Sequence, residues 1–376
     1  MTHRPVWAEV DLAAVSHNVG VLAGMAAPAL VCAVVKAGAY GHGAVEVARA
    51  ALEAGASWLA VALVEEGAEL RDAGIDAPVL LLSEPPVAAM ADVVGLGLTP
   101  TIYTGEGLAA AAAAAAAASV PGRGPLPVHV KVDTGMHRVG AAAPDAVKLA
   151  LTVEERPELS LQGMWTHFAV ADDPDDPFTA VQAGRFAAVL EELAGLGVHP
   201  SLAHASNSAG LLAHPAARHD LVRCGLTVYG VAPSPALALL AADVRPVLAL
   251  KARVSLVKEV AAGEGVSYGR RFRAGRPTVV ATVPIGYADG VPWRLPDAGG
   301  EVLVGGRRRA IIGAVTMDQL MVDCTDDRTV HVGDEVVLIG RQGDEEVGAW
   351  EWATRLGTIA YEVLSGIGAR VPRVYR

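Results

Sequence analysis

The sequence predicts an α/β chain, a closed (β/α)8 barrel of the TIM type followed by a mainly β C-terminal domain. Three observations predict it. Short apolar runs alternate with helical stretches through the first two thirds of the chain. That rhythm breaks near Pro233-Ser234-Pro235. From Arg245 to Gly340, β-branched or alternating runs are separated by glycine turns.

In chain order, Trp7 to Leu12 alternates as a strand that precedes the barrel and is free to pair with the second domain. Eight runs then read as parallel strands: 30–35, 58–63, 78–82, 99–103, 128–132, 161–166, 200–204 and 220–223. Helical signals lie between them, as in Ala44 to Ala54 and Phe178 to Leu196. Thr104 to Ala118 is the plainest helix, with a threonine cap, Glu106 in the first turn and an alanine run. Eight strands suggest a closed barrel, and an open doubly wound sheet is the alternative. In the second domain Val247 to Val260, Thr278 to Ile285, Glu301 to Val304, Ala310 to Val315, Leu320 to Val322 and Glu335 to Ile339 read as strands. A helical segment from Ala349 to Ile367 closes the chain. The domains are expected at 13–240 for the barrel and 241–376, with strand 6–12, for the β-domain.

Composition bounds the function. A chain of 376 residues exceeds one ordinary core. Hydrophobic residues make up 52% and charged ones 19%, which fits a packed enzyme and not a disordered chain. The net charge of -11 argues against nucleic-acid binding, and Arg307-Arg308-Arg309 reads as a solvated turn. Three cysteines without paired spacing fit a reduced interior. Met1 to Asp11 has no apolar signal core and no run is long enough to span a bilayer, so a cytoplasmic protein without a membrane partner is expected.

Chemistry is expected at the strand ends, because a parallel barrel gathers its reactive groups at the carboxyl ends of its strands. The first strand runs into Lys36, the first lysine of the chain, followed by Ala37-Gly38-Ala39-Tyr40-Gly41. A lysine at a dry strand mouth has a neutral amine suited to forming a Schiff base with an aldehyde; by itself it also reads as a snorkelling side chain. Later strand ends deliver Lys131, Asp133 and Arg138, then Thr166 and His167, then His204, Asn207 and Ser208, then Arg223 before Cys224-Gly225-Leu226. Alone, His167 reads as a core histidine and Ser208 as a helix cap; their convergence favours a site. Ser208 and the amides near Gly225 suit a phosphate dianion. A phosphate-bearing aldehyde near a buried lysine implies pyridoxal 5'-phosphate. An aldolase with a plain lysine Schiff base, or a non-catalytic carrier of the cofactor, shares part of this pattern. His199, His204 and His214 lack ligand spacing, so no metal is expected.

Val34 to Gly43 resembles the pyridoxal-lysine motif of bacterial alanine racemases, pyridoxal phosphate enzymes of fold type III. Lys131-Val-Asp-Thr-Gly-Met136, Thr166-His167-Phe168-Ala169, Val266-Ser-Tyr-Gly269, Pro284 to Gly290, Thr316-Met-Asp-Gln319 and Thr358 to Val363 resemble that family in the same order. The resemblance runs from about Trp7 to the C-terminus. It implies interconversion of L- and D-alanine, which supplies peptidoglycan, in a head-to-tail homodimer with shared active sites. It also implies that Lys36 holds the cofactor and is the base on the D-face, with Tyr268 of the other subunit the base on the L-face. Arg138 would lie against the cofactor phenolate, and His167 with Arg223 under the ring, Arg223 facing the pyridine nitrogen. Tyr40, Asn207, Ser208, Gly225, Leu226 and Tyr361 match cofactor-binding positions; Met317, also from the partner subunit, matches a residue that binds the substrate carboxylate, and Arg138 is a further substrate-binding position. Lys131 matches a lysine that many members carry as a carbamate. Asp318 would orient a neighbouring tyrosine, and Tyr287 has a supporting place.

Four positions depart from the family pattern. Gly38 replaces asparagine or aspartate, which implies a lost polar contact near Lys36. His137 replaces glycine, Ala314 an arginine, and Trp293 an arginine near the substrate corridor. A racemase of the same fold acting on serine or another small amino acid is the alternative. A decarboxylase of the same barrel class is disfavoured by Tyr268 and the Met317 stretch.

Overall fold

Eight parallel strands close into a ring. They are β2 (Leu30–Val34), β3 (Trp58–Val61), β4 (Val79–Leu81), β5 (Thr101–Ile102), β6 (Leu126–Lys131), β7 (Leu159–Trp165), β8 (Leu202–His204) and β9 (Leu221–Cys224); β1 (Val6–Val10) precedes them. The computed structural model describes residues 3–118, 124–326 and 329–376. β9, β2, β3 and β4 pair in that order, as do β5 to β8. Single parallel bridges, Leu80 to Thr99 and Asn207 to Arg223, join the two groups. The pairing of β9 with β2 decides for the closed barrel against the open sheet. Residues on both faces of these strands are buried, Trp58–Val61 throughout, as a helix-covered parallel sheet requires.

The alanine-rich helix runs from Gly105 to Ala117, and the Thr104 hydroxyl accepts from Gly107 N–H at 2.9 Å. The last segment of this unit is pinned by Asn18, which is fully buried. Its amide donates to Val228 O and Arg245 O, and its oxygen accepts from Arg245 N–H at 2.7 Å. The barrel unit therefore runs to Arg245, five residues past the expected boundary, and comprises 14–39 and 44–245.

The second unit comprises residues up to Ala13, Tyr40–Gly43 and Pro246–Arg376. Its largest sheet includes β1, β10 (Leu248–Arg253) and β11 (Leu256–Val260). β12 (Gly265–Val266) and β13 (Phe272–Arg273) form a separate ribbon. β14 (Thr278–Val283), β15 (Glu301–Val304), β16 (Arg307–Ile312), β17 (Leu320–Asp323), β18 (Glu335–Gln342), β19 (Glu345–Val347) and β20 (Arg373–Tyr375) complete the large sheet. β1 pairs antiparallel with β10 and parallel with β20. The run expected as one strand from Val247 to Val260 is two. Val254 N–H bonds Asp334 O while Ser255 N–H bonds Thr282 O, so the chain changes partner there. The C-terminal helical segment is likewise two helices, Ala349–Leu356 and Ala360–Ser365, parted at Gly357, whose φ of 68° ends the first in a left-handed cap.

Asn18→Ala should lower barrel stability by about 2–4 kcal/mol, since three backbone groups lose their partner. Urea unfolding measures this; an unchanged midpoint would show that water replaces the amide.

Candidate active site

Strand β2 ends at Val34, and the turn Lys36–Gly41 that follows is helical but left-handed. Ala37, Gly38, Ala39 and Tyr40 have φ of 53°, 58°, 53° and 54°. Glycine adopts this region freely, asparagine and aspartate tolerate it, and other residues lose about 1–2 kcal/mol each. Gly38 therefore meets a backbone requirement. Glu66 holds the turn: Oε1 accepts from Ala37 N–H at 2.5 Å, and Oε2 from Ala62 and Leu63 N–H at 2.8 and 3.1 Å. Sequence reasoning missed this glutamate, because its spacing signals only a cap for the helix Val64–Asp72. Lys36 Nζ makes no hydrogen bond or ion pair among the described residues. Burial, and then the charge of Arg138, push its amine below the usual lysine range, with Glu66 opposing.

Arg223, on β9, is 3% exposed. Its Nη1 donates to His204 Nδ1 at 2.9 Å; its Nη2 donates to Thr166 O, Ala205 O and His167 Nδ1 at 2.8, 2.9 and 3.2 Å. Its guanidinium lies 4.6 Å from the Trp165 ring centre, and Lys131 Nζ lies 4.2 Å from the same ring. Burial, then Arg223 and Arg138, lower Lys131 to about 7. Burial, and then Arg223, hold His167 and His204 well below the usual histidine value. His204, expected among the groups delivered at the strand ends, is instead fully buried behind Arg223.

Ser208 Oγ accepts from Gly225 N–H and Thr227 Oγ1, both at 2.9 Å. Asn207, not Ser208, is the helix cap: its oxygen accepts from Gly210 N–H at 2.8 Å. Leu226 N–H, at the start of the 3-10 turn Leu226–Tyr229, has no acceptor among the described residues. Arg138 follows a turn closed by Asp133, whose Oδ1 accepts from Gly135 and His137 N–H. His137 has φ of 54°, the reason that glycine suits its position.

In the β unit, the Tyr40 and Tyr361 rings lie 6.1 Å apart, and burial holds the Tyr40 phenol above its usual value. Tyr268 is 75% exposed on a turn with φ of 63° at Ser267 and 48° at Arg270. Ser267 Oγ donates to Ala314 O at 2.8 Å, so the alanine that replaces arginine still anchors this turn by its backbone. Tyr287 and Ala288 N–H bond Thr316 O and Met317 O, which joins those two motifs. Asp318 pairs with Arg370 at 2.6 Å. Trp293 stacks with Arg271 at 4.7 Å.

A family model for the N-terminal domain of alanine racemase matches residues 10–233, and one for the C-terminal domain matches 247–375. The chain belongs to the alanine racemase family. The alanine racemase of Symbiobacterium thermophilum is 46% identical over 99% of this chain and 97% of its own. That of Carboxydothermus hydrogenoformans is 43% identical over 99% of this chain and 100% of its own. Among solved structures, alanine racemase from a D-cycloserine-producing Streptomyces lavendulae superposes with a TM-score of 0.93 at 40% identity, covering 100% of this chain and 98% of that one. The Bacillus anthracis enzyme with bound L-Ala-P gives 0.91 at 38%, covering 100% and 96%. No helix among the described residues is long and apolar enough to cross a membrane.

If the left-handed turn sets the identity of residue 38, Gly38→Asn should keep stability within about 0.5 kcal/mol. Gly38→Val should lose about 1–2 kcal/mol, read by urea unfolding. Equal loss in both would show that space, not backbone conformation, governs the position.

Proposed function

We propose that this chain interconverts L- and D-alanine with pyridoxal 5'-phosphate, Lys36 and Tyr268 acting as the two bases. The observation that carries the reading is a half-buried lysine amine with no hydrogen bond or ion pair among the described residues, at the mouth of a strand paired with the one that holds a buried arginine able only to donate. The residues present fit the cofactor. Lys36 supplies the amine for its aldehyde. The Ser208 hydroxyl and the Leu226 and neighbouring amides supply donors for its phosphate, with Asn207 supporting Ser208. None of the four Arg223 bonds uses Nε–H, which is left for the ring nitrogen. When bound, the cofactor supplies an electron sink that acidifies the α-hydrogen of the amino acid.

The chain's own groups do the rest. Lys36 removes or returns a proton on the D-face, and the Tyr268 oxygen does so on the L-face; inversion needs removal on one side and return on the other. Arg223 holds its proton and would leave a ring nitrogen placed against it unprotonated, which would keep the electron sink weak and disfavour transamination. Arg138 and Met317 hold the substrate carboxylate. The Lys131 amine, buried and without a carboxylate partner, is suited to take up carbon dioxide, releasing one proton and becoming an anion beside Arg138. Tyr268 and Met317, 75% and 51% exposed, serve the site of a second copy in a homodimer. The D-alanine formed supplies peptidoglycan synthesis in the cytoplasm.

Three outcomes test the reading. In deuterated water the protein should exchange the α-hydrogen of both alanine enantiomers. Tyr268→Phe should cut early exchange from L-alanine by about 10²–10⁴-fold while exchange from D-alanine survives. Equal loss from both enantiomers would show that Tyr268 is not specific to one face, and no exchange by the native protein would end the racemase reading. Mixing Lys36→Ala with Tyr268→Ala under subunit exchange should restore activity through one intact site per mixed dimer. Absence of recovery, with exchange shown separately, would refute the shared site.

A further inference from the structure

Behind Arg223 lies a polar chain that the reaction as described does not use. His204 Nε2 lies 2.8 Å from His129 Nδ1, and His129 Nε2 lies 3.3 Å from Gln162 Oε1. The four residues sit on the four successive strands β6, β7, β8 and β9. His129 and His204 are fully buried. A space is built for the first ring: a Cβ on Gly163 would stand 2.5 Å from His129 Nδ1. The β6–β7 register also shifts between Val128 and His129, which re-aims the side chain at that point.

We propose that His204, His129 and Gln162 form a one-way hydrogen-bond relay that positions Arg223 for its place beneath the cofactor ring. Arginine has no acceptor, so its bond to His204 Nδ1 dictates every proton that follows. His204 must carry its proton on Nε2 and donate to His129 Nδ1. His129 must then carry its own on Nε2 and donate to Gln162 Oε1. Both rings are neutral, in keeping with the burial that pushes His129 down to about 4. A ring that donates onward is a stronger acceptor, so each link tightens the hold on the guanidinium. Trp165 backs the assembly, parallel to the His204 ring within 6° and 5.5 Å from it. The relay solvates a buried cation without a carboxylate and fixes its plane. His204, His129 and Gln162 are thus positioning residues. Their service to the reaction rests on the reading that Arg223 faces the ring nitrogen.

The test uses the full-length protein labelled with ¹⁵N-histidine, first without added pyridoxal phosphate. Ring-nitrogen spectra should show both His204 and His129 neutral and protonated on Nε2. An Nδ1–H form or a doubly protonated ring at pH 7 in either would overturn the relay. Gln162→Leu removes the last acceptor, two links from the arginine, at a half-buried position. It should shift the His204 Nδ1 signal and lower kcat roughly three- to tenfold with KM for alanine little changed. Gln162→Glu, which restores an acceptor oxygen, should recover both. A His204 signal unmoved by Gln162→Leu would mean independent contacts and would overturn the proposal. A shifted signal with unchanged kcat would overturn the positioning role. Full activity in Arg223→Lys would instead overturn the placing of Arg223 itself, with the tautomers standing as found.

Discussion

Crowding of positive charge at one end of the barrel is the constraint on which the site depends. Lys131 registers the charge of Arg223, Arg138 and Lys36, and Lys36 that of Arg138. Burial is the larger cause and repulsion adds to it, so both amines titrate below the ordinary lysine range. Arginine cannot yield its proton in the same way, so Arg223 stays charged among neutral acceptors: two carbonyls and two imidazoles. Burial first, and then the charge of Arg223, keeps those imidazoles neutral. A phosphate, a substrate carboxylate and a carbamate are each anions that such a field favours.

Carboxylates are present near the strand ends but are engaged with backbone. Glu66 accepts three N–H groups from the turns after β2 and β3. Glu84 accepts from Tyr103 and Thr104 N–H and from the Thr104 hydroxyl after β5. Asp133 closes its own loop. In the β unit, Asp289 is fully buried and takes both Nη groups of Arg4 at 2.8 and 2.7 Å, while Gly286 N–H bonds it as well. Each acid satisfies peptide donors that would otherwise be orphaned at an irregular turn. Among the described residues Lys36, Lys131, Arg138 and Arg223 make no direct ion pair.

Strain marks the functional turns. The left-handed run after Lys36 contains two alanines and a tyrosine, and the turn of Tyr268 contains Ser267 and Arg270 at positive φ. Each non-glycine residue there opposes the fold by about 1–2 kcal/mol, and persists because fixed bonds over-determine it. Glu66 does so for the first turn, and the bond from Ser267 Oγ to Ala314 O for the second.

The barrel and the β-domain were legible because period and composition report burial directly: all-apolar runs such as Trp58–Val61 need two covered faces, whatever their neighbours. Lys36, Lys131, His167, Ser208 and Arg223 were legible because each follows or ends an apolar strand, and parallel closure sends strand ends to one rim. Element ends and partner changes were less legible. The switch at Val254-Ser255 and the cap at Gly357 depend on which strand or helix lies alongside. The handedness of the turn after Lys36, the reach of Glu66 to Ala37, the pairing of Asp318 with Arg370 and the alignment of Gln162, His129 and His204 behind Arg223 were not legible at all. The sequence by itself determined which residue types stand at the strand ends, because hydrophobic period is a local property of the chain. The tertiary structure alone decided their protonation and hydrogen-bond direction, because desolvation and donor geometry arise only when distant strands are brought side by side.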